Sequence, residues 1–330
     1  MAKLNLVVTR KLGDTYLKQI QTISPDINLI DASAFFYFEP GEDPASKQKI
    51  DALLANADIV VGHWPPKNIV TRAPHLKWFH TFLAGVDAPD YAHMLEKGIT
   101  VTNSTGIHGT QISELVFEKM LMHAKRAFFS FQMQQEKKWS RFIPSLLSGK
   151  TLGIVGLGSI GKEVARLGKA FGMKVIANRR SITEISKTEN VDILMPTSQL
   201  TELLSQSDYV VLSMAVTPET DKIIGEKELR AMKPTAFLIN IARGKVVDET
   251  ALIRALKENW IGGAGLDTVS REPLPPESEI WDLPNLILTP HISGVRDDYF
   301  DLAIPLFCEN LKRYLGDKQM INVIDRKKGY

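Results

Sequence analysis

The chain has 330 residues, 44% of them apolar and 24% charged, with a formal net charge of +2. That length favours two domains with full cores, and so small a charge, without a concentrated basic patch, argues against a nucleic-acid or membrane-surface binder. Cys308 is the single cysteine and there is no apolar run long enough for a membrane span, which excludes a disulfide scaffold and a cysteine metal cluster and leaves no membrane or metal expected.

The N-terminal stretch MAKLNLVVTRKLG is too short in its apolar run for a signal peptide, so a cytoplasmic protein is expected. Residues 4–9 read as a buried strand, 14–22 as a helix and 28–30 as a second strand. The breaker-rich run 38–46, FEPGEDPAS, reads as a loop, followed by a helix near 46–55. Strands are expected at 58–61, 76–81 and 99–102, so strand and helix alternate as in a parallel α/β layer. Apolar periodicity predicts one long helix over 111–131, with Ile112, Leu115, Val116, Met120, Leu121 and Ala124 on a broad buried face. Residues 132–147 then alternate polar and aromatic, with Trp139, Phe142 and Pro144. This segment is either an arm covering another subunit or a piece packed on its own chain.

The next stretch, 152–180, reads LGIVGLGSIGKEVARLGKAFGMKVIANRR. A short apolar run leads into Gly156, Gly158 and Gly161 in G-x-G-x-x-G spacing. A helical pattern with Val164, Leu167, Ala170 and Phe171 on one face follows, then a second apolar run. That context marks a dinucleotide turn: Gly156 for the tight bend, Gly158 for close approach of a pyrophosphate, Gly161 for helix–strand packing. The N–H groups opening the helix at Ser159 and Ile160 suit an anion. Eighteen residues beyond Gly161, where an NAD-binding chain places an acid, stands Arg179, in Asn178-Arg179-Arg180-Ser181. Two guanidiniums suit a 2′-phosphate, so NADPH is the expected cofactor, with NAD the weaker alternative.

Further strands are expected at 191–194, 209–213, 236–240, 264–266 and 286–288, completing a doubly wound sheet. Ser198 or Thr201 is expected to cap the helix through Leu204, and Asp248 the helix after it. Residues 299–314 form an amphipathic helix able to return to the first domain. The charged runs Lys137-Lys138 and Arg326-Lys327-Lys328 read as solvated faces. Three groups fall at successive strand ends: Arg243 after 237–241, Glu272 after 265–267, and His291 after 286–289. Carboxyl ends of strands line the ligand crevice of open α/β sheets. A cation, an acid and an imidazole are what a carbonyl reductase needs.

With LSGKTLGIVGLGSIG at 147–161, NIARGKVVDETALIRAL at 240–256, GLDTVSREPLP at 265–275 and NLILTPHISG at 285–294, the chain resembles the D-isomer-specific 2-hydroxyacid dehydrogenases over nearly its whole length. Leu83-Ala84-Gly85-Val86-Asp87 is similar to the family's substrate loop. The resemblance implies two Rossmann-like α/β domains. One is a discontinuous, flavodoxin-like substrate domain of residues 1–103 and 295–330; the other is an inserted dinucleotide-binding domain, 104–294, through which a homodimer forms. It implies reduction of a small 2-oxo acid. His291 is the proton donor, Glu272 holds its imidazolium, and Arg243 forks onto the substrate carboxylate. Leu83, Ala84 and Gly85 also face the substrate, Ala84 and Gly85 through their backbone N–H groups. Cofactor contacts extend to Ser181, Ile241, Ala242 and Arg243, and Asp267 accepts from the nicotinamide amide.

An amide replaces Glu272 in the formate-oxidising branch, so formate is not expected. A chain ending at Tyr330 is expected to lack the regulatory module of long phosphoglycerate enzymes. The arginine pair is similar to that of NADPH-dependent glyoxylate and hydroxypyruvate reductases. Phe82-Leu83-Ala84-Gly85, bulkier than glyoxylate requires, keeps a larger 2-oxo acid open. Two other readings remain: a dinucleotide-sensing, corepressor-like interaction protein without turnover, and an amino-acid dehydrogenase of the same plan.

Overall fold

A computed structural model describes residues 3–36, 44–86 and 88–326. Most of the expected loop 38–46, Asp87 of the substrate loop, and Lys327 and Lys328 lie outside the described residues. The chain divides into two compact units, Met1–Ile107 with Arg296–Tyr330, and His108–Val295.

The first unit is built on five parallel strands, β1 (Leu4–Val8), β2 (Ile27–Asp31), β3 (Ile59–Gly62), β4 (Trp78–Thr81) and β5 (Thr100–Thr102), in the order β2-β1-β3-β4-β5. Each is short, and β3 and β4 are buried throughout, as strands covered on both faces must be. Side chains alternate between the faces. Val7, Val60 and Phe79 enter one core with Leu54 and Met94. Leu6, Val8, Val61 and Trp78 enter the other, which the helix Tyr299–Leu315 closes with Ile304, Phe307 and Leu311. Trp78 stacks on Phe307 at 5.4 Å and on Tyr314 at 5.3 Å between ring centres. The helix expected near 46–55 starts at Pro44.

The second unit carries β6 (Thr151–Val155), β7 (Lys174–Asn178), β8 (Ser186–Thr188), β9 (Val191–Met195), β10 (Tyr209–Leu212), β11 (Phe237–Asn240), β12 (Gly263–Leu266) and β13 (Leu286–Leu288). Their order, β13-β12-β11-β10-β6-β7-β9-β8, reverses direction between β6 and β10, which is where such sheets bind ligands. Leu152, Ile154, Val211 and Ile239 pack on one face, and Val155, Val210, Leu212 and Leu238 on the other. Only β8 is antiparallel in this sheet. It is exposed at all three residues, so no apolar pattern announces it.

Four local expectations are corrected. The long helix over 111–131 is two, Gly109–Ala124 and Ala127–Gln135, because Arg126 takes a left-handed conformation (φ 51°). Its guanidinium lies over Phe129 (4.7 Å) and Phe142 (5.3 Å). Neither Ser198 nor Thr201 caps the following helix. A 3-10 turn, Thr197–Gln199, leads into Leu200–Gln206 without a side-chain cap. Phe171 lies just past the helix Ser159–Ala170 and stacks on Phe117 at 4.9 Å. The segment 132–147 divides its aromatics. Phe142 packs edge-on against Phe129 of its own chain, while Trp139 and Ile143 are more than nine-tenths exposed.

Candidate active site

The glycine turn follows β6 at the switch point. Gly156 has φ 98°, and a Cβ there would meet Met214 at 2.9 Å, so conformation and space both demand glycine. A Cβ on Gly161 would stand 2.6 Å from the Gly156 carbonyl, the close approach that lets the helix Ser159–Ala170 seat against the turn. Gly158 is different. Its backbone is extended and nothing lies within 4 Å of its Cβ position. Its neighbours do not require glycine, so the open space in front of it fits an approaching ligand. The helix that starts here has no side-chain cap and no acid in its first turn, which leaves its N–H groups and dipole to an anion. The strand end beside it contributes a residue that sequence reasoning missed. Asn178 is buried and its Oδ1 accepts from the Gly156 N–H at 3.0 Å, locking the turn.

Arg179, Arg180 and Ser181 come immediately after Asn178 and are all exposed. Arg179 N–H donates to the Met195 carbonyl and Ile182 N–H to the Arg179 carbonyl, so the backbone holds a tight bend from which both side chains project. Two cations and no acid at this bend fit a phosphorylated ribose better than a free hydroxyl.

The end of β11 is organised by Asn240, whose side chain accepts from the Ala242 N–H and donates to the Arg243 carbonyl. Ile241 and Ala242 point into the core, so only their backbone can face a ligand. Arg243 is half-buried, with one guanidinium N–H donating to the Ala242 carbonyl at 2.8 Å. A Cβ on Gly244 would fall 2.0 Å from the Val269 backbone, so this glycine lets the loops after β11 and β12 touch.

Glu272 and His291 lie on the loops after β12 and β13. The structure brings them together across 19 residues of sequence: His291 Nδ1 is 2.7 Å from Glu272 Oε2, and Glu272 Oε1 accepts from the Val269 N–H. With its Nδ1 side turned to the acid, the ring has Nε2 for other work. Both side chains remain about two-fifths exposed, and His291 takes a left-handed backbone (φ 53°). Other histidines are chemically unlike it. Burial pushes His80 down to about 3, and burial with the charge of Arg10 pushes His63 down to about 4. Both are neutral near pH 7.

Asp267 follows directly on β12. Its carboxylate is 1% exposed and accepts from the Thr289 hydroxyl (2.6 Å), the Ile292 N–H (3.0 Å) and the Ser293 N–H (2.9 Å). These contacts tie down the loop that carries His291. Lys119 reaches the same hydroxyl from the helix Gly109–Ala124. The sequence signal for it is a charged residue inside an apolar stripe.

In the first unit, Leu83, Ala84 and Gly85 follow the carboxyl end of β4 and are half-exposed. Thr81 accepts from the Leu83 N–H, and Asn103 donates to the Ala84 carbonyl at 2.7 Å. Phe82 is fully buried among His63, His80, Phe300 and Phe307. Its bulk therefore shapes the core and carries no argument about substrate size.

The profile of the D-isomer specific 2-hydroxyacid dehydrogenase NAD binding domain matches residues 117–293, more than half of the chain and almost all of the second unit. The chain belongs to that family. It is an NAD(P)-dependent 2-hydroxyacid dehydrogenase. A glyoxylate reductase of Thermococcus gammatolerans is 40% identical over 71% of this chain and 73% of its own. The corresponding reductase of Thermococcus litoralis is 32% identical over 98% and 97%. Among solved structures, an NADPH-dependent glyoxylate/hydroxypyruvate reductase from Sinorhizobium meliloti, in complex with NADP and sulfate, superposes with a TM-score of 0.81. It is 25% identical, with 99% of this chain and all of that chain covered.

Proposed function

We propose that the protein reduces a small 2-oxo acid, of the glyoxylate and hydroxypyruvate class, to its D-2-hydroxy acid with NADPH, in the cytosol. The observation that carries the reading is the 2.7 Å contact between Glu272 and His291 at the ends of adjacent strands. Relatives named glyoxylate reductase and a structural neighbour holding NADP support the substrate class and the cofactor.

The cofactor, when bound, supplies a hydride. Everything else falls to the chain. Glu272 accepts from Nδ1–H of His291 and compensates the charge of the imidazolium, whose Nε2–H is the proton passed to the carbonyl oxygen. Arg243 binds the substrate carboxylate through its planar fork, and the loop of Leu83, Ala84 and Gly85 offers N–H groups to the same carboxylate. Gly156, Gly158, Ser159, Ile160 and Gly161 hold the pyrophosphate. Arg179, Arg180 and Ser181 hold the 2′-phosphate, and the backbone of Ile241, Ala242 and Arg243 borders the nicotinamide. The first unit serves as the substrate domain and the second as the cofactor domain. A second copy of the chain covers the exposed apolar side chains of 128–146.

The test is the decay of absorbance at 340 nm with glyoxylate, hydroxypyruvate, pyruvate and phenylpyruvate, each with NADPH and NADH. Turnover with NADPH and the smaller acids is expected. In the Arg179→Ala/Arg180→Ala variant the KM for NADPH rises about tenfold or more while that for NADH hardly moves, as loss of a charge-assisted pair predicts. Preference for NADH in the unaltered protein overturns the cofactor assignment. Tight NADPH binding without decay of any substrate favours a sensor.

A further inference from the structure

Lys119 is fully buried on the inward face of the helix Gly109–Ala124, a face otherwise made by Ile112, Val116, Phe117 and Met120. An apolar residue would fill such a position more favourably, because an ammonium withdrawn from water is strongly penalised unless it is paired. Room for its stem comes from β12: a Cβ on Gly265 would stand 2.8 Å from Lys119 Cδ. At its end, Nζ donates to Thr289 Oγ1 at 2.8 Å, and that hydroxyl donates onward to Asp267 Oδ1 at 2.6 Å. The Asp267 carboxylate also accepts the Ile292 and Ser293 N–H groups, and its main-chain carbonyl accepts the His291 N–H at 2.8 Å.

Three donors converge on one carboxylate and take up both of its oxygens. At 1% exposure the carboxylate is cut off from water, and the Lys119 ammonium is joined to it through the Thr289 hydroxyl. Burial pulls the Lys119 pKa down, while the charges of Asp267 and Glu118 pull it back up. The residue anchored by this arrangement is the one that turns through a left-handed conformation, His291.

We propose that Lys119 is a positioning residue for the reaction, tying down Asp267 through the Thr289 hydroxyl and thereby fixing the 289–293 loop that presents His291 to Glu272. This rests on the reading of His291 as proton donor. Lys119 touches neither substrate nor cofactor; its action passes through the loop.

The test compares Lys119→Met, Thr289→Val and the double variant with the unaltered protein and with His291→Ala. In each single variant kcat is expected to fall about tenfold or more, while KM for the 2-oxo acid and Kd for NADPH stay within about threefold. The double variant is expected to be no worse than the worse single one, because both act on one relay. Amide exchange supplies a readout independent of turnover. Ile292 and Ser293 exchange about tenfold faster or more in Lys119→Met, while amides of β6 and β10 keep their protection. If Lys119→Met does not fold, Thr289→Val, which keeps both charges and breaks the relay, carries the same measurements. Turnover within about twofold of the unaltered protein together with protected loop amides overturns the proposal, as do losses that multiply in the double variant. An active His291→Ala variant overturns the proton-donor reading itself. An inactive His291→Ala beside an active Lys119→Met removes only the role of Lys119.

Discussion

His291 differs from His63 and His80 in what surrounds it. His80 is sealed among Trp78, Phe82 and Phe307, and His63 lies among Phe82, Tyr299 and Phe300, so burial keeps both neutral. His291 instead keeps access to solvent and has a carboxylate at 2.7 Å. Replacing it with alanine is expected to lower kcat by ~10²–10⁴, the usual worth of general acid assistance, with far-UV circular dichroism and NADPH binding preserved. Glu272→Gln keeps an acceptor oxygen and loses the charge, so its kcat should fall between the two. Steady-state kinetics on both variants checks this, and equal activity in all three would remove the pair from the mechanism. At this scale the acid, the imidazole and the arginine were legible because each stands at a strand end within a recognisable run. The hold of Asp267 on the His291 loop was not legible, since its three donors come from residues 22 to 26 positions later.

Strands were read from short apolar runs, and all but β8 are where apolar composition puts them. The helix break at Arg126 escaped because periodicity reports which side chains are apolar and is blind to a single left-handed residue. One element has a consequence for stability. β4 places His80 at zero exposure, with Nδ1 2.8 Å from the Thr102 hydroxyl. Its pKa is held at about 3 in the folded chain against an ordinary 6.5. A group depressed on folding contributes its full stability above about 6.5, and the contribution is lost as pH falls toward 3. The rate of loss is about 1.4 kcal/mol per pH unit, because the unfolded chain takes up the proton first. Urea unfolding at pH 7, 6, 5 and 4 should therefore show a flatter pH dependence in His80→Phe by up to that slope. An unchanged slope would mean that His80 is protonated in the folded protein.

Across the molecule, both sheets are parallel apart from the β8 edge, and each is covered on two faces by apolar clusters. Among the described residues no helix is long and apolar enough to cross a membrane. Five exposed large apolar side chains of the second unit fall in one stretch: Phe128, Phe131, Trp139, Ile143 and Leu146. The stretch is fastened at its end, where Ser145 N–H and hydroxyl both donate to the Ala124 carbonyl, so it is held out rather than collapsed. Exposed apolar area of this kind marks a contact surface. Light scattering should give twice the chain mass for the unaltered protein and one chain mass for Trp139→Arg/Ile143→Arg, with the glycine turn still binding NADPH. A double variant that stays dimeric would place the contact elsewhere.

The order of the strands other than β8, the glycine turn and the places of the three strand-end groups were determined by the sequence alone. Each depends on signals within a few residues: apolar runs, glycine spacing, a charge just past a strand. Tertiary structure alone decided that Asn178 locks the turn, that Phe82 belongs to the core, and that Lys119, Asp267 and Thr289 form one buried group. Lys119 and Thr289 are 170 residues apart, and no local preference of either residue anticipates the other. They meet because β12 and β13 lie side by side at one end of the sheet, with Gly265 leaving space for a lysine stem.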